Sequence, residues 1–302
     1  MHKGARGYET LPGHLARLLG RLQELDDPAL PRLELQEFNP LLDSSDMAPS
    51  DWLRVARAIE ERYDDFAGFV VLHGTDTLAY TASALSFLLE GLGKPVIVTG
   101  SQVPLERLRS DARENLLASA LLAVSPELHE VCVFFGGTLF RGNRVTKVSA
   151  SGFDAFESPN EAALAVAGVD VVMGPAAPRQ PQAGRLRVHR LADVSVAAVR
   201  LFPGIRPELL ANLLRDPVRG VVLETYGAGN APTRDGSLVA VIADATARGV
   251  VVVNCTQCLR GTVDMSGYAT GAALAAAGVV SGADMTPEAA LTKLIWLLGR
   301  GL

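Results

Sequence analysis

A two-domain α/β fold built on parallel strands is what this 302-residue sequence predicts, and two observations carry that reading. Short apolar runs bounded by glycine recur along the chain, each followed by a longer amphipathic segment, the rhythm of strands joined by crossover helices. One stretch, from Gly174 to Arg187, breaks the rhythm with a linker-like mixture of Pro, Gly, Ala and Arg.

The runs that read as strands are Phe69 to Leu72, Pro95 to Val98, Val131 to Phe135, Val169 to Met173, Val194 to Leu201, Gly220 to Leu223 and Val250 to Val253. Helical patterns lie between them at Pro49 to Arg62, Leu78 to Leu92 and Asp111 to Val124. Pro49 suits a first helical turn, and Gly91 and Gly93 followed by Pro95 close the second helix. The expected division is a larger domain over residues 1–176, a linker over 177–192 and a smaller domain over 193–302.

At 48% hydrophobic and 20% charged residues, the composition is that of a globular protein with a sizeable core rather than a disordered chain. A formal charge of -5 gives no electrostatic reason to bind nucleic acid. No apolar stretch reaches the ~20 residues of a membrane span, and no signal-like hydrophobic region follows Met1. Three cysteines, Cys132, Cys255 and Cys258, are too few for a disulfide framework and point to a reducing compartment. Cys255 and Cys258 form a C-x-x-C with no second pair or nearby histidine, so core or loop thiols are expected rather than a metal centre.

In open parallel sheets, ligands sit beyond the carboxyl ends of the strands, so the residues after each run are the place to look for chemistry. His73-Gly74-Thr75-Asp76-Thr77 follows the first run. One reading makes it a glycine turn with Thr75 or Asp76 as a helix N-cap. The other turns Thr75 and Asp76 toward a small polar substrate, Asp76 binding an ammonium group and Thr75 acting as nucleophile or proton relay beside a base.

Lys147 is a candidate for that base. The chain has four lysines (Lys3, Lys94, Lys147 and Lys293) against twenty-four arginines. An ammonium group can lose its proton near neutral pH when partly buried, and a guanidinium cannot, which is one reason to keep a lysine. A solvated lysine in a polar loop is the plainer alternative. Asp43-Ser44-Ser45-Asp46 and Thr99-Gly100-Ser101-Gln102 also follow apolar runs. Either could be turn chemistry. Combined with Thr75 and Asp76, they would line a pocket of hydroxyls and carboxylates suited to an amino acid.

These motifs resemble the asparaginase family. His73-Gly74-Thr75-Asp76-Thr77 is similar to its signature. Asp43-Ser44-Ser45-Asp46-Met47, Thr99-Gly100-Ser101-Gln102, Arg141-Gly142-Asn143-Arg144, Lys147 and Tyr226-Gly227-Ala228-Gly229-Asn230 resemble its bacterial cytosolic, type I branch. The resemblance implies a larger N-terminal flavodoxin-like parallel sheet with flanking helices, a smaller C-terminal α/β domain, a homodimer or homotetramer, a cytoplasmic location, and no metal or organic cofactor. It implies hydrolysis of the L-asparagine side-chain amide, with L-glutamine as a second candidate substrate, through an acyl-enzyme on threonine. Carried over by position, Thr75, Asp76 and Lys147 form one catalytic group. Asp43, Ser44 and Ser45 hold the substrate's backbone groups with Asp76, Ser101 lies by its side-chain carbonyl, and Tyr8 belongs to a lid that excludes water on closing.

Family members begin with an apolar strand that ends in a Thr-Gly-Gly-Thr-Ile-Gly turn, whose second threonine is the primary nucleophile. Met1 falls just after the point where that turn would end. The expectation is that a strand and turn of roughly ten residues or more precede Met1 in the true reading frame, and that their loss would expose the neighbouring strands. Gly301-Leu302 also comes earlier than the family's usual end.

In the type I branch a second asparagine site is lined by residues matching Thr256, Gln257 and Cys258, and by a basic residue where this chain has Glu224. An acidic group there would repel a substrate carboxylate, so weakened allosteric control is expected. The sequence also admits two other readings. One is a catalytically dead amino-acid-binding or structural subunit. The other is an ammonia-generating amidotransferase subunit, although the chain has no room for the extra N-terminal domain of such subunits.

Overall fold

The computed structural model describes residues 2–4, 7–176, 178–180 and 184–302, with side chains from residue 10 onward. The chain divides into two compact units, the first ending at Val188 and the second running from His189 to Leu302.

In chain order the strands are β1 (His2–Gly4), β2 (Gly7–Glu9), β3 (Phe69–Leu72), β4 (Val96–Thr99), β5 (Val131–Phe135), β6 (Thr138–Arg141), β7 (Thr146–Lys147), β8 (Phe156–Glu157), β9 (Ala165–Ala167), β10 (Val171–Met173), β11 (Ser195–Arg200), β12 (Val218–Thr225), β13 (Val251–Thr256) and β14 (Val280–Ser281). The helices are α1 (His14–Leu19), α2 (Pro49–Glu61), α3 (Leu78–Leu88), α4 (Ala112–Leu122), α5 (Pro207–Leu213), α6 (Ser237–Ala247), α7 (Ala269–Ala276) and α8 (Pro287–Gly299).

The first unit is organised around a six-stranded sheet in the order β10-β9-β6-β5-β4-β3. β3, β4 and β5 run parallel and are joined through α3 and α4, as the sequence rhythm predicts. The other half corrects the expectation of a parallel sheet, because β6, β9 and β10 are all antiparallel to their neighbours. β5 reaches β6 through Gly136 and Gly137, both at positive φ, and a turn that tight allows only reversal of direction.

Burial follows position in the sheet. β4 and β5 are buried at every residue, which is why their sequences are continuous apolar runs rather than alternating ones. β3 forms an outer edge of the sheet, and its residues are half-buried except Leu72, which is exposed, as befits a strand paired on one side. α2 buries Trp52, Val55, Ala56 and Ile59, the i, i+3, i+4, i+7 stripe of an amphipathic helix. Pro49 opens it, and the Asp51 carboxylate accepts from the Ala48 backbone N–H at 3.0 Å.

The segment that reads as a linker is packed on the first unit in part. Leu186 and Val188 are buried, Arg187 bridges to Glu90, and the Val188 N–H donates to Glu60 at 2.7 Å. Residues 177 and 181–183 of that segment lie outside the described residues.

The second unit carries an all-parallel sheet in the order β11-β12-β13-β14. Its core joins Leu210 and Leu214, Ile242 of α6 and Leu274 of α7 to Val221, Leu223 and Val252 of the sheet. On a second cluster, Ala290 and Leu294 of α8 pack with Val222, Val253 and Cys255. No described helix is long and apolar enough to cross a membrane.

Candidate active site

Three loops meet beyond the carboxyl ends of β3 and β4. The turn His73–Thr77 leaves β3 and enters α3, and Gly100–Gln102 leaves β4. The two lie close enough that a β-carbon on Gly100 would collide with the His73 carbonyl, while the His73 N–H donates to the Thr99 carbonyl at 2.8 Å. The third is the Asp43–Met47 loop, with a one-turn 3-10 helix over Ser44–Asp46. Thr77 Oγ1 donates to the Ser44 carbonyl at 2.6 Å, and a β-carbon on Gly74 would strike Ser44 Oγ.

His73 secures the same junction from below. Its Nδ1 lies 2.7 Å from the Gly74 carbonyl, an acceptor only, so Nδ1 carries the hydrogen and Nε2 accepts from Thr81 Oγ1 at 2.9 Å. Met47 Sδ sits 2.8 Å from that Nε2. Burial holds the imidazole below its ordinary value, against a smaller opposing effect of the Gly74 hydrogen bond, so the neutral ring is favoured.

The capping alternative for Thr75 and Asp76 does not hold. The N-cap of α3 is Thr77, without a side-chain cap bond. Thr75 and Asp76 instead face Lys147, 71 or more residues away in sequence, whose Nζ lies 2.9 Å from Thr75 Oγ1 and 2.8 Å from Asp76 Oδ1. Lys147 is presented by β7, which pairs antiparallel with β8. Phe156, its direct partner there, packs edge-on against Phe135 at 4.9 Å between ring centroids. Upstream, Arg141 and Arg144 are tied to Glu161, and Arg141 Nε also meets the buried Glu130 carboxylate at 2.6 Å.

The Asp76 side chain is 69% exposed and that of Lys147 20%. An ion pair that wet stabilises the fold by only ~0–1 kcal/mol, so its geometry matters more for chemistry than for stability. The exposed Asp76 carboxylate holds Lys147 through Oδ1 and is open to solvent, where a cation could be received.

Of the remaining sequence candidates, Asp43 folds back on its own turn, its Oδ1 accepting from Ser45 N–H at 3.0 Å and Ser45 Oγ at 2.8 Å. Ser44 and Ser101 are half-buried and Ser45 is exposed. Asp43 and Asp46 also border a depression with Thr10, Leu42, Asp51 and Arg54, which the Thr75 group does not line. Tyr8 lies on β2 opposite Lys3, and its side chain is outside the description. Gln102 was not singled out by sequence reasoning, yet its Oε1 accepts from Thr75 Oγ1 at 3.1 Å. Its place two residues beyond Gly100, the glycine that follows β4, was the available signal.

Glu224, Thr256, Gln257 and Cys258 come together in the second unit, at the carboxyl ends of β12 and β13. Gln257 Nε2 donates to the Leu201 and Glu224 carbonyls at 2.6 and 2.8 Å, and Thr256 Oγ1 donates to the Gly227 carbonyl at 2.6 Å. The Glu224 carboxylate is met by Arg200, its register partner on β11, at 3.5 Å. Cys255 is buried, its thiol pushed up to about 12 mainly by burial, while Cys258 is exposed. Among the described residues no cluster of His, Cys, Asp and Glu has the arrangement of a metal site.

The family model described as "Asparaginase, N-terminal" matches residues 4–177, and that described as "Glutaminase/Asparaginase C-terminal domain" matches residues 195–302. The chain is 50% identical over 302 residues to L-asparaginase 1 of Escherichia coli K12, covering 100% of this chain and 89% of that protein. It is 50% identical over 266 residues to the human 60 kDa lysophospholipase, covering 87% of this chain and 46% of that one. The structure of L-asparaginase I from Vibrio cholerae superposes with a TM-score of 0.91 at 46% identity, over 99% of this chain and 90% of that chain. With both family models and full-length similarity in agreement, this chain belongs to the asparaginase family.

Proposed function

We propose that the protein hydrolyses the side-chain amide of L-asparagine to L-aspartate and ammonia, through an acyl-enzyme on threonine. The observation that carries the reading is the convergence of Thr75, Asp76 and Lys147, a hydroxyl, a carboxylate and an ammonium within hydrogen-bond reach of one another. Asp76 uses one oxygen to hold Lys147 and offers the other to the substrate's α-ammonium group. Lys147, once neutral, takes the proton from the hydroxyl at Thr75 and returns it to the departing amide nitrogen, so that ammonia leaves as the ester forms. Water then cleaves the ester by the reverse proton path and frees L-aspartate.

Ser44, Ser45 and Asp43 sit on the loop that His73, Gly74 and Thr77 dock beside this group, where they can bind the substrate's backbone carboxylate and amine. Ser101 follows β4 on the adjacent loop, within the same cluster, and is assigned to the amide carbonyl. Resemblance supports a cytoplasmic homodimer or homotetramer, closure of a lid bearing Tyr8, and a second asparagine site at Thr256, Gln257 and Cys258. There Arg200 offsets the Glu224 charge, which softens the expectation of repulsion. L-Glutamine is a second candidate substrate, because one methylene changes pocket affinity by only ~1–3 kcal/mol.

The test is ammonia release from L-asparagine and L-glutamine. In the resemblance the first nucleophile belongs to a turn ahead of the residues that match Met1, so the 302-residue chain is assayed beside one extended to the next in-frame start. Activity only in the extended protein supports the reading and moves the first attack to that turn, with Thr75 as proton relay; activity in the 302-residue chain keeps the attack on Thr75. Two folded proteins that bind L-asparagine without releasing ammonia would replace it with an amino-acid-binding role.

A further inference from the structure

The Gln102 carboxamide is fixed from two sides. Its Nε2 donates to the Gly152 carbonyl at 2.9 Å and lies 3.4 Å from that of Ser149. Carbonyl oxygens only accept, so the nitrogen faces them and Oε1 faces Thr75. The Ser149 hydroxyl oxygen accepts from the Gly152 N–H at 2.8 Å and so closes the loop that grips the amide. On the backbone side, the Asp111 carboxylate accepts from the N–H groups of Gln102 and Val103 at 3.0 and 2.9 Å. Asn115, buried on α4, donates to both Asp111 and the Gly100 carbonyl.

A charged Lys147 can only donate, and it donates to Thr75 Oγ1. The single proton of that hydroxyl therefore lies toward Gln102. We propose that Gln102 is a positioning residue of the reaction, its Oε1 setting the rotation of the Thr75 hydroxyl. While Lys147 is charged, Gln102 takes the hydroxyl hydrogen bond and leaves a lone pair of Thr75 Oγ1 to accept from Nζ. When Lys147 is neutral, the hydroxyl turns to donate to Nζ and can give up its proton. This inference deepens the amide-hydrolysis reading and rests on its assignment of Thr75 and Lys147.

Two variants test it. Gln102→Met removes the acceptor at nearly constant volume, and Gln102→Glu puts a negative charge beside the hydroxyl and favours the ammonium. With only four lysines in the chain, the ε-methylene NMR signals of 13C-lysine-labelled protein are assignable. The Lys147 signal at neutral pH is expected to move in Gln102→Met and to move the opposite way in Gln102→Glu, while the Lys94 and Lys293 signals stay in place. For ammonia release, kcat in Gln102→Met falls about tenfold or more while KM changes less than about threefold. A Lys147 signal that stays put in both variants, or shifts only in step with Lys94, overturns the inference and leaves Gln102 a loop anchor. If neither the 302-residue chain nor the extended protein releases ammonia from L-asparagine, the hydrolysis reading fails, and the NMR comparison still decides the part played by Gln102.

Discussion

Lysine scarcity was a partial guide to chemistry, and two lysines illustrate why. Lys147 stands with a hydroxyl and a carboxylate, as a candidate base should. Lys94 donates to the Tyr63 and Phe66 carbonyls and lies 4.6 Å from the Tyr63 ring centre, a compact point charge packed into the end of α2. Small size, not a removable proton, explains that second lysine. His73 is a neutral structural histidine by the same kind of accounting, with a hydrogen on Nδ1 and an acceptor at Nε2. Its folded value is depressed from 6.5, so below about that pH the unfolded chain binds more protons than the folded one. Stability thus rises with pH through the acid range up to about 6.5, and this group adds no further slope above it. Urea unfolding between about pH 5 and pH 7 should lose part of that slope in His73→Gln. An unchanged slope would show that burial does not hold the ring neutral.

At the scale of elements, the site depends on loops that approach closer than a side chain permits. The turn after β3 passes the Asp43–Met47 loop at Gly74, and the loop after β4 passes His73 at Gly100. A methyl at Gly74 meets both Ser44 Oγ and Ser44 Cβ, so Gly74→Ala pushes the Ser44–Asp46 turn away from Thr75. The expected result is about tenfold weaker L-asparagine binding by calorimetric titration, with the melting point lowered by only a few degrees. Binding at full strength would remove that loop from the substrate's surroundings. The parallel strands β4 and β5 were legible because burial on both faces writes them as continuous apolar runs, and β3 because its apolar run is bounded by Gly68 and Gly74. β10 falls within the predicted run Val169 to Met173, whereas β6 and β9, four and three residues long, answer to no predicted run. Their antiparallel direction comes from turn geometry that apolar patterning does not encode.

Across the whole molecule, the alternation of apolar runs and amphipathic helices was enough to predict two α/β units, the second of them with an all-parallel sheet. The residues of the candidate site were legible one by one from their places after strands. Their convergence was not, because Lys147 reaches Thr75 from a short hairpin, β7–β8, which has no apolar signature of its own. Gln102 lay in a motif that also reads as an ordinary turn, and only the fixed orientation of its amide distinguishes it. The central claim is that Thr75, Asp76 and Lys147 act as one unit in amide hydrolysis. The most direct test is ammonia release from L-asparagine by Lys147→Met, made in whichever of the 302-residue and extended proteins is active and compared with that same protein unmodified, both checked for equal melting points. The account predicts at least about a hundredfold loss of kcat with the fold intact; a variant that keeps more than about half the rate would contradict it.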